Sequence, residues 1–173
     1  VTENLISSVG IDYTYLRDLL AAGEWRLADK ETARVMLAVS GREKECWLTA
    51  ENIDNFPCED LRTIDQLWVK YSNGRFGFSV QKRIYLSLGG TRDYDYGIWQ
   101  AFGGHVGWKK EEEWLSYKDI TFDLAAPQAH LPFSTGLLSR TLSVGFLWVS
   151  LDGGFGEGFW ERGIAVLLSR RDL

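Results

Sequence analysis

Between Ser72 and Tyr85 the chain reads SNGRFGFSVQKRIY, which sets Phe76 and Phe78 beside Arg75, Lys82 and Arg83 with Gly74 and Gly77 among them. Aromatic rings stack on flat apolar ligands, guanidinium and ammonium groups pair with carboxylates at a ligand's rim, and glycine lets backbone approach closely. From Leu61 to Tyr85 the basic residues Arg62, Lys70, Arg75, Lys82 and Arg83 face one acid, Asp65, so this window carries +4 in a chain of net charge -5. Two readings follow: a local anion-attracting surface with a stacking wall, or core phenylalanines beneath a solvated charged face.

Other chemistries find less support. His105 in GGHVGW and His130 in PQAHLP lack the HxxxH or CxxC neighbours of a zinc site and read as structural, with axial ligation of a haem left open. The chain holds no GxSxG nucleophile turn and no GxxxxGK[ST] phosphate loop. Glu111, Glu112 and Glu113 follow Lys109 and Lys110, a pattern of a solvated turn rather than of paired catalytic carboxylates. No catalytic residue, resident metal or obligatory cofactor is expected. Cys46 and Cys58 are too few for a disulfide framework and read as reduced thiols in an intracellular compartment.

The elements that must position these residues are helical. With 173 residues, 45% hydrophobic and 25% charged, the chain is long enough for one packed core. Leu16, Leu19 and Leu20 form one apolar stripe and Trp25, Ala28, Val35, Met36 and Val39 another, with Gly23 between, which predicts a helical hairpin over 13–22 and 25–39. Pro57, then Glu59 and Asp60, then Leu61, Ile64, Leu67, Trp68 and Tyr71 predict a helix over 57–71. A further helix is expected over 92–102, and the glycine-rich DGGFGEGFW at 152–160 reads as a mobile or specialised loop. The expected fold is all-α: a lead-in at 1–12, one compact helical domain at 13–141, and an extension at 142–173 that packs on it. The apolar stretch at 142–151 is too short to span a bilayer, and no run of about 20 apolar residues occurs. A sequence pI near 5.1 disfavours nucleic acid as a partner. Val1 in place of an initiating methionine, with no signal pattern, suggests a soluble domain excised from a longer chain, and the helical stripes lead to the expectation of a monomer.

DYTYLRDLLAAGEWRLADKET, FPCEDLRTIDQLWVKYSNGRFGFSVQKRIY, VGW and FDLAAPQAHLP, in that order over residues 9–133, resemble the genomes-uncoupled-four family of tetrapyrrole-binding proteins. The resemblance implies a helical cupped-hand fold that binds protoporphyrin IX, Mg-protoporphyrin IX or a bilin without transforming it. It also implies a partner, the large porphyrin-binding subunit of magnesium chelatase, and a cyanobacterial cytoplasmic or plastid stromal setting, with a peripheral place at the thylakoid membrane as one option. Carried onto this chain, the groove includes Val69 and Phe78, with Trp108, Leu131 and Phe133 on an opposite, more mobile wall. Ligand chemistry adds Arg75, Phe76, Val80 and Arg83. A basic residue after HLP completes the family's site, a place that Arg140, Arg170 or Arg171 can fill. Ala129 stands where the family usually has glycine. An alternative function is a porphyrin- or bilin-sensing regulatory domain of a longer signalling protein.

Overall fold

A computed structural model describes residues 5–133 and 159–173, the side chains of the second stretch from 163 onward. Its elements are α1 (Thr14–Ala21), α2 (Trp25–Val39), α3 (Ala50–Asp54), α4 (Cys58–Tyr71), α5 (Phe78–Ser87), α6 (Tyr96–His105), strands β1 (Lys109–Lys110) and β2 (Glu113–Trp114), a 3-10 turn at Tyr117–Asp119, and α7 (Phe159–Leu168).

The apolar stripes do what their spacing requires. Leu16, Leu19 and Leu20 of α1 and Trp25, Ala28, Val35, Met36 and Val39 of α2 are buried where the antiparallel pair meets, and α1 also packs on α4. Trp25 lies 6.1 Å from Trp68 and 5.6 Å from Phe76, centroid to centroid. The buried Trp68 indole donates to Thr32 Oγ1 at 2.9 Å, and Thr32 in turn donates to the Ala28 carbonyl at 2.8 Å, so the polar edge of the largest core ring is satisfied inside the helical layer.

Helix α4 opens after Pro57 with Glu59 and Asp60 in its first turn. Asp60 is buried and accepts from Ser7 Oγ at 2.5 Å, Ser8 N at 2.9 Å and Tyr13 Oη at 2.7 Å, which ties the lead-in to the helix. Burial, then the Asp60 carboxylate, push the Tyr13 phenol well above its ordinary value.

Three elements differ from the sequence expectation. The five-residue α3 has too short an apolar pattern to announce itself and is held by a reciprocal cap between Thr49 and Asn52. Helix α6 starts at Tyr96 rather than 92 because the Asp95 carboxylate accepts from Ile98 N at 2.8 Å, while Arg92 is drawn off to a two-pronged pair with Asp54 at 2.8 and 2.6 Å. The charged turn at 109–114 closes a two-stranded antiparallel hairpin. It returns the Trp114 ring onto α6, where it stacks on Trp99 at 5.6 Å and sits where a Cβ on Gly103 would come within 2.3 Å.

Of the glycine-rich 152–160 segment, Phe159 and Trp160 open α7; the rest, like the 142–151 stretch, lies outside the described residues. Helix α7 buries Ile164, Ala165, Val166, Leu167 and Leu168 against α3 and α5. The residues after it are hooked down: Arg62 Nε donates to the Asp172 carbonyl at 3.2 Å and Lys82 Nζ to the Leu173 carbonyl at 3.0 Å. Arg170 donates to the Ile53 carbonyl and to both carboxylate oxygens of Asp172. That guanidinium holds the Asp172 carboxyl down at about 2. Cys46 and Cys58 are free thiols.

Candidate ligand-binding site

The turn between α4 and α5 is built by hydrogen bonds and one glycine. Ser72 Oγ accepts from Phe76 N at 2.8 Å, and Gly74 N donates to the Val69 carbonyl at 2.7 Å. Gly77 adopts φ +128°, and a Cβ there would lie 2.8 Å from Val69 Cγ2 and 2.9 Å from Asp65 Oδ1, so only glycine fits. Beyond it, Ser79 N donates to Asp65 Oδ1 at 2.8 Å; a carboxylate from α4 thus serves the open amides of α5. Burial pushes the Asp65 carboxyl up, against the backbone amides that pull it down.

A second segment, 126–133, is laced onto this turn. Gly77 N donates to the Leu131 carbonyl at 3.0 Å, Ala129 N to the Arg75 carbonyl at 2.7 Å, and Arg75 Nη2 to the Ala126 carbonyl at 2.6 Å. The buried Gln81 amide donates to the carbonyls of Ala129 at 3.1 Å and Pro132 at 2.9 Å. Trp108 Nε1 donates to the His130 carbonyl at 2.7 Å.

His130 uses both ring nitrogens. Nδ1 lies 2.6 Å from the Val106 carbonyl, and Nε2 accepts from Thr121 N at 3.2 Å. Burial pulls its pKa below the ordinary 6.5, as befits a neutral ring with one donor and one acceptor role filled. This is the structural role expected of it, and it leaves neither nitrogen open to an iron. Past Pro132, Phe133 N donates to the buried Asp29 carboxylate at 2.6 Å, which anchors the segment to α2.

The α4–α5 turn and the 126–133 segment therefore meet, and with them Arg75 and Leu131. Phe76, Trp108 and Leu131 are wholly buried, and Phe78 and Val80 nearly so; Val69, Arg75 and Phe133 are half-buried and Arg83 is exposed. Phe76 packs against Trp25 and Trp68 in the core. The two expected walls touch through the Gly77–Leu131 bond, and Trp108 meets Phe133 edge-on at 5.1 Å. Arg140 lies outside the described residues.

The basic window has a different occupation from the one its charge suggested. Arg62, Arg75 and Lys82 donate to backbone carbonyls of the 126–133 segment and the chain's end, because carbonyls at irregular turns need donors that no helix supplies. Lys70 lies over the Tyr71 ring at 5.2 Å.

The structure adds a feature that sequence reasoning missed. Phe133 continues into Tyr117 at 6.3 Å, Tyr117 into Phe122 at 5.3 Å, and the Arg26 guanidinium lies 4.4 Å over the Phe122 ring. Nothing in the spacing of residues 26 and 122 signals that they meet. Elsewhere, an open depression of about 430 Å³ bounded by Ala50, Arg92, Asp93, Tyr94 and Val166 contains none of the sequence-selected residues.

Helical layers joined by this laced turn have counterparts. The family described as GUN4-like matches residues 6–147. The chain belongs to the GUN4-like family. It is 39% identical over 131 residues to the Ycf53-like protein of Synechocystis, covering 74% of this chain and 53% of that one. It is 31% identical over 172 residues to the chloroplastic tetrapyrrole-binding protein of Arabidopsis thaliana, covering 89% of this chain and 62% of the other. The chain thus spans about half the length of the Synechocystis relative. Its fold resembles GUN4 from Chlamydomonas reinhardtii with TM-score 0.71 and 26% identity, covering 98% of this chain and 95% of that one. Ligand-free GUN4 of Arabidopsis thaliana shares the fold with TM-score 0.68.

Proposed function

We propose that this GUN4-like chain binds a tetrapyrrole, protoporphyrin IX, its magnesium form or a bilin, without covalent chemistry, and regulates magnesium chelatase through its large porphyrin-binding subunit. The observation that carries the reading is the 31% identity to a tetrapyrrole-binding protein across 89% of this chain. The site's chemistry agrees with it. A porphyrin is a flat apolar disc with propionates at one edge, and the half-buried Phe133, Tyr117 and Phe122 run in a row to the exposed Arg26, while the half-buried Val69 and the exposed Arg83 belong to α4 and α5 on either side of their turn. Burial of one disc face, 200 to 300 Å², contributes roughly 5 to 7.5 kcal/mol before the costs of association, against about 0 to 1 kcal/mol for an exposed ion pair. Stacking supplies affinity and charge supplies orientation. Family relatives in a cyanobacterium and a chloroplast favour the same compartments here, and among the described residues no helix is long and apolar enough to cross a membrane.

Titration of the protein with protoporphyrin IX, Mg-protoporphyrin IX and a bilin, followed by tryptophan quenching and ligand absorbance, tests the reading. Saturable quenching with ligand recovered unchanged is the expected result. Absence of quenching by all three removes tetrapyrrole binding, and metal insertion by the protein alone removes the non-catalytic part. Faster magnesium insertion by chelatase on adding the protein tests the regulatory part.

A further inference from the structure

The row of rings that leaves the core through Trp108 and Phe133 ends at Phe122, and its last ring face is covered by a cation. Arg26 is exposed, sits in the first turn of α2, and holds its guanidinium 4.4 Å from the Phe122 centroid and 5.9 Å from that of Tyr117. Leu27, next to Arg26 in sequence, and Leu124, two residues past Phe122, are 45% and 44% exposed. A guanidinium over a ring face keeps its planar fork of donors at the edge, in the geometry that grips a carboxylate. The Tyr117 hydroxyl is buried beside the Asp29 carboxylate. Burial, then the neighbouring Asp29 carboxylate, push its pKa upward; the phenol stays neutral and does not repel an incoming anion.

Arg75 is differently placed. Its Nη2 is committed to the Ala126 carbonyl and its Nε is enclosed. Releasing it would unlace the segment that carries Leu131 and Phe133, whereas Arg26 gives up only a ring face.

We infer that Arg26 and Phe122 form a carboxylate-gripping edge of the tetrapyrrole site, in which Phe122 takes the rim of the disc and Arg26 pairs with one propionate. The inference rests on the proposed tetrapyrrole binding and names residues for it outside the α4–α5 turn.

Two ligands and three variants test it, with protoporphyrin IX as the free acid and its dimethyl ester as the uncharged control. Arg26→Ala is expected to weaken binding of the free acid about five-fold and leave the ester within about two-fold. Arg26→Lys, which keeps charge but loses the fork, falls between. Phe122→Ala is expected to weaken both ligands about ten-fold, with far-UV circular dichroism unchanged for every variant. If the unsubstituted protein binds neither form, the functional reading fails and takes this inference with it. If it binds both and Arg26→Ala changes neither, or lowers both equally, the carboxylate grip alone is overturned. Undiminished binding by folded Phe122→Ala overturns the part given to the ring.

Discussion

Two aromatic regions of this molecule are held in different ways. In the α1–α2–α4 layer, Trp25 and Trp68 interlock on helices whose backbone bonds are satisfied internally, Phe76 packs on both from the turn after α4, and a few side-chain bonds such as Trp68 to Thr32 and Tyr13 to Asp60 complete the layer. In the 106–133 region, Trp108, His130 and Phe133 sit on irregular backbone whose carbonyls and amides are met one at a time by Gln81, Arg75, Trp108, His130 and Asp29. The first region owes its shape to apolar periodicity and the second to a set of polar latches. A helical layer fails as a whole, whereas a latched segment can open without unfolding the rest.

The contrast breaks most clearly at its rigid end. Trp68→Ala should cost about 4 kcal/mol, chiefly through the cavity and in lesser part through the bond Thr32 no longer accepts, appearing in urea denaturation as a loss of global stability with protection falling across α1, α2 and α4 together. A loss confined to α4 would contradict the account of a single interlocked layer.

On the latched side, Gln81→Leu preserves volume roughly but strands the Ala129 and Pro132 carbonyls, at a cost of about 2 kcal/mol. Hydrogen exchange should quicken at 126–133 while α2 keeps its protection. Uniform loss of protection in all helices would show that the segment is part of the core unit.

Acid should act on the same side. His130 has a folded pKa below 6.5, so below that pH the unfolded chain binds the proton more readily than the folded one. The stability it contributes is complete above about 6.5 and declines as pH falls, until the folded ring titrates as well. Thermal denaturation at pH 8 and pH 5 should show a fall in Tm that is smaller in His130→Asn; equal falls would assign the acid sensitivity to other groups.

The smallest effect belongs to Ala129, which holds φ +64° where glycine is usual in the family it resembles. Ala129→Gly relieves about 1 kcal/mol of left-handed strain but adds 0.4 to 1 kcal/mol of unfolded-chain entropy. A stability change within about 0.5 kcal/mol in urea titration is expected, and a gain above 1.5 kcal/mol would mean that the latches hold the segment under greater strain than its backbone angle implies.

How much the sequence disclosed follows the same division. Helices α2 and α4 were legible nearly to the residue, because long stripes and the Pro57, Glu59, Asp60 start leave one face to bury. Helix α3 was not, since five residues hold one buried side chain, Ile53, and depend on a cap. Phe76 and Phe78 were ambiguous because they straddle an element boundary at Gly77, Phe76 in the turn and Phe78 at the start of α5, so no single period assigns a face to both, and both are buried. The meeting of the α4–α5 turn with residues 126–133 had no periodic signal at all. The family resemblance set Trp108, Leu131 and Phe133 on a wall opposite the turn rather than bonded to it, and it gave no sign of the edge at Arg26 and Phe122.

The strap formed by α7 joins Arg170 to the carbonyl of Ile53, 117 positions earlier, and its Ile164 to Leu168 run packs over α3. During synthesis at about 5 to 20 residues per second, the apolar side of α3 therefore emerges several seconds before the helix that covers it. A nascent chain in that interval leaves Ile53 of α3 and the part of α5 under α7 uncovered, the kind of surface that chaperones engage. Ribosome-bound chains stopped before and after α7 would differ there in protease sensitivity, which makes the strap a checkpoint in the protein's birth as well as a part of its finished form.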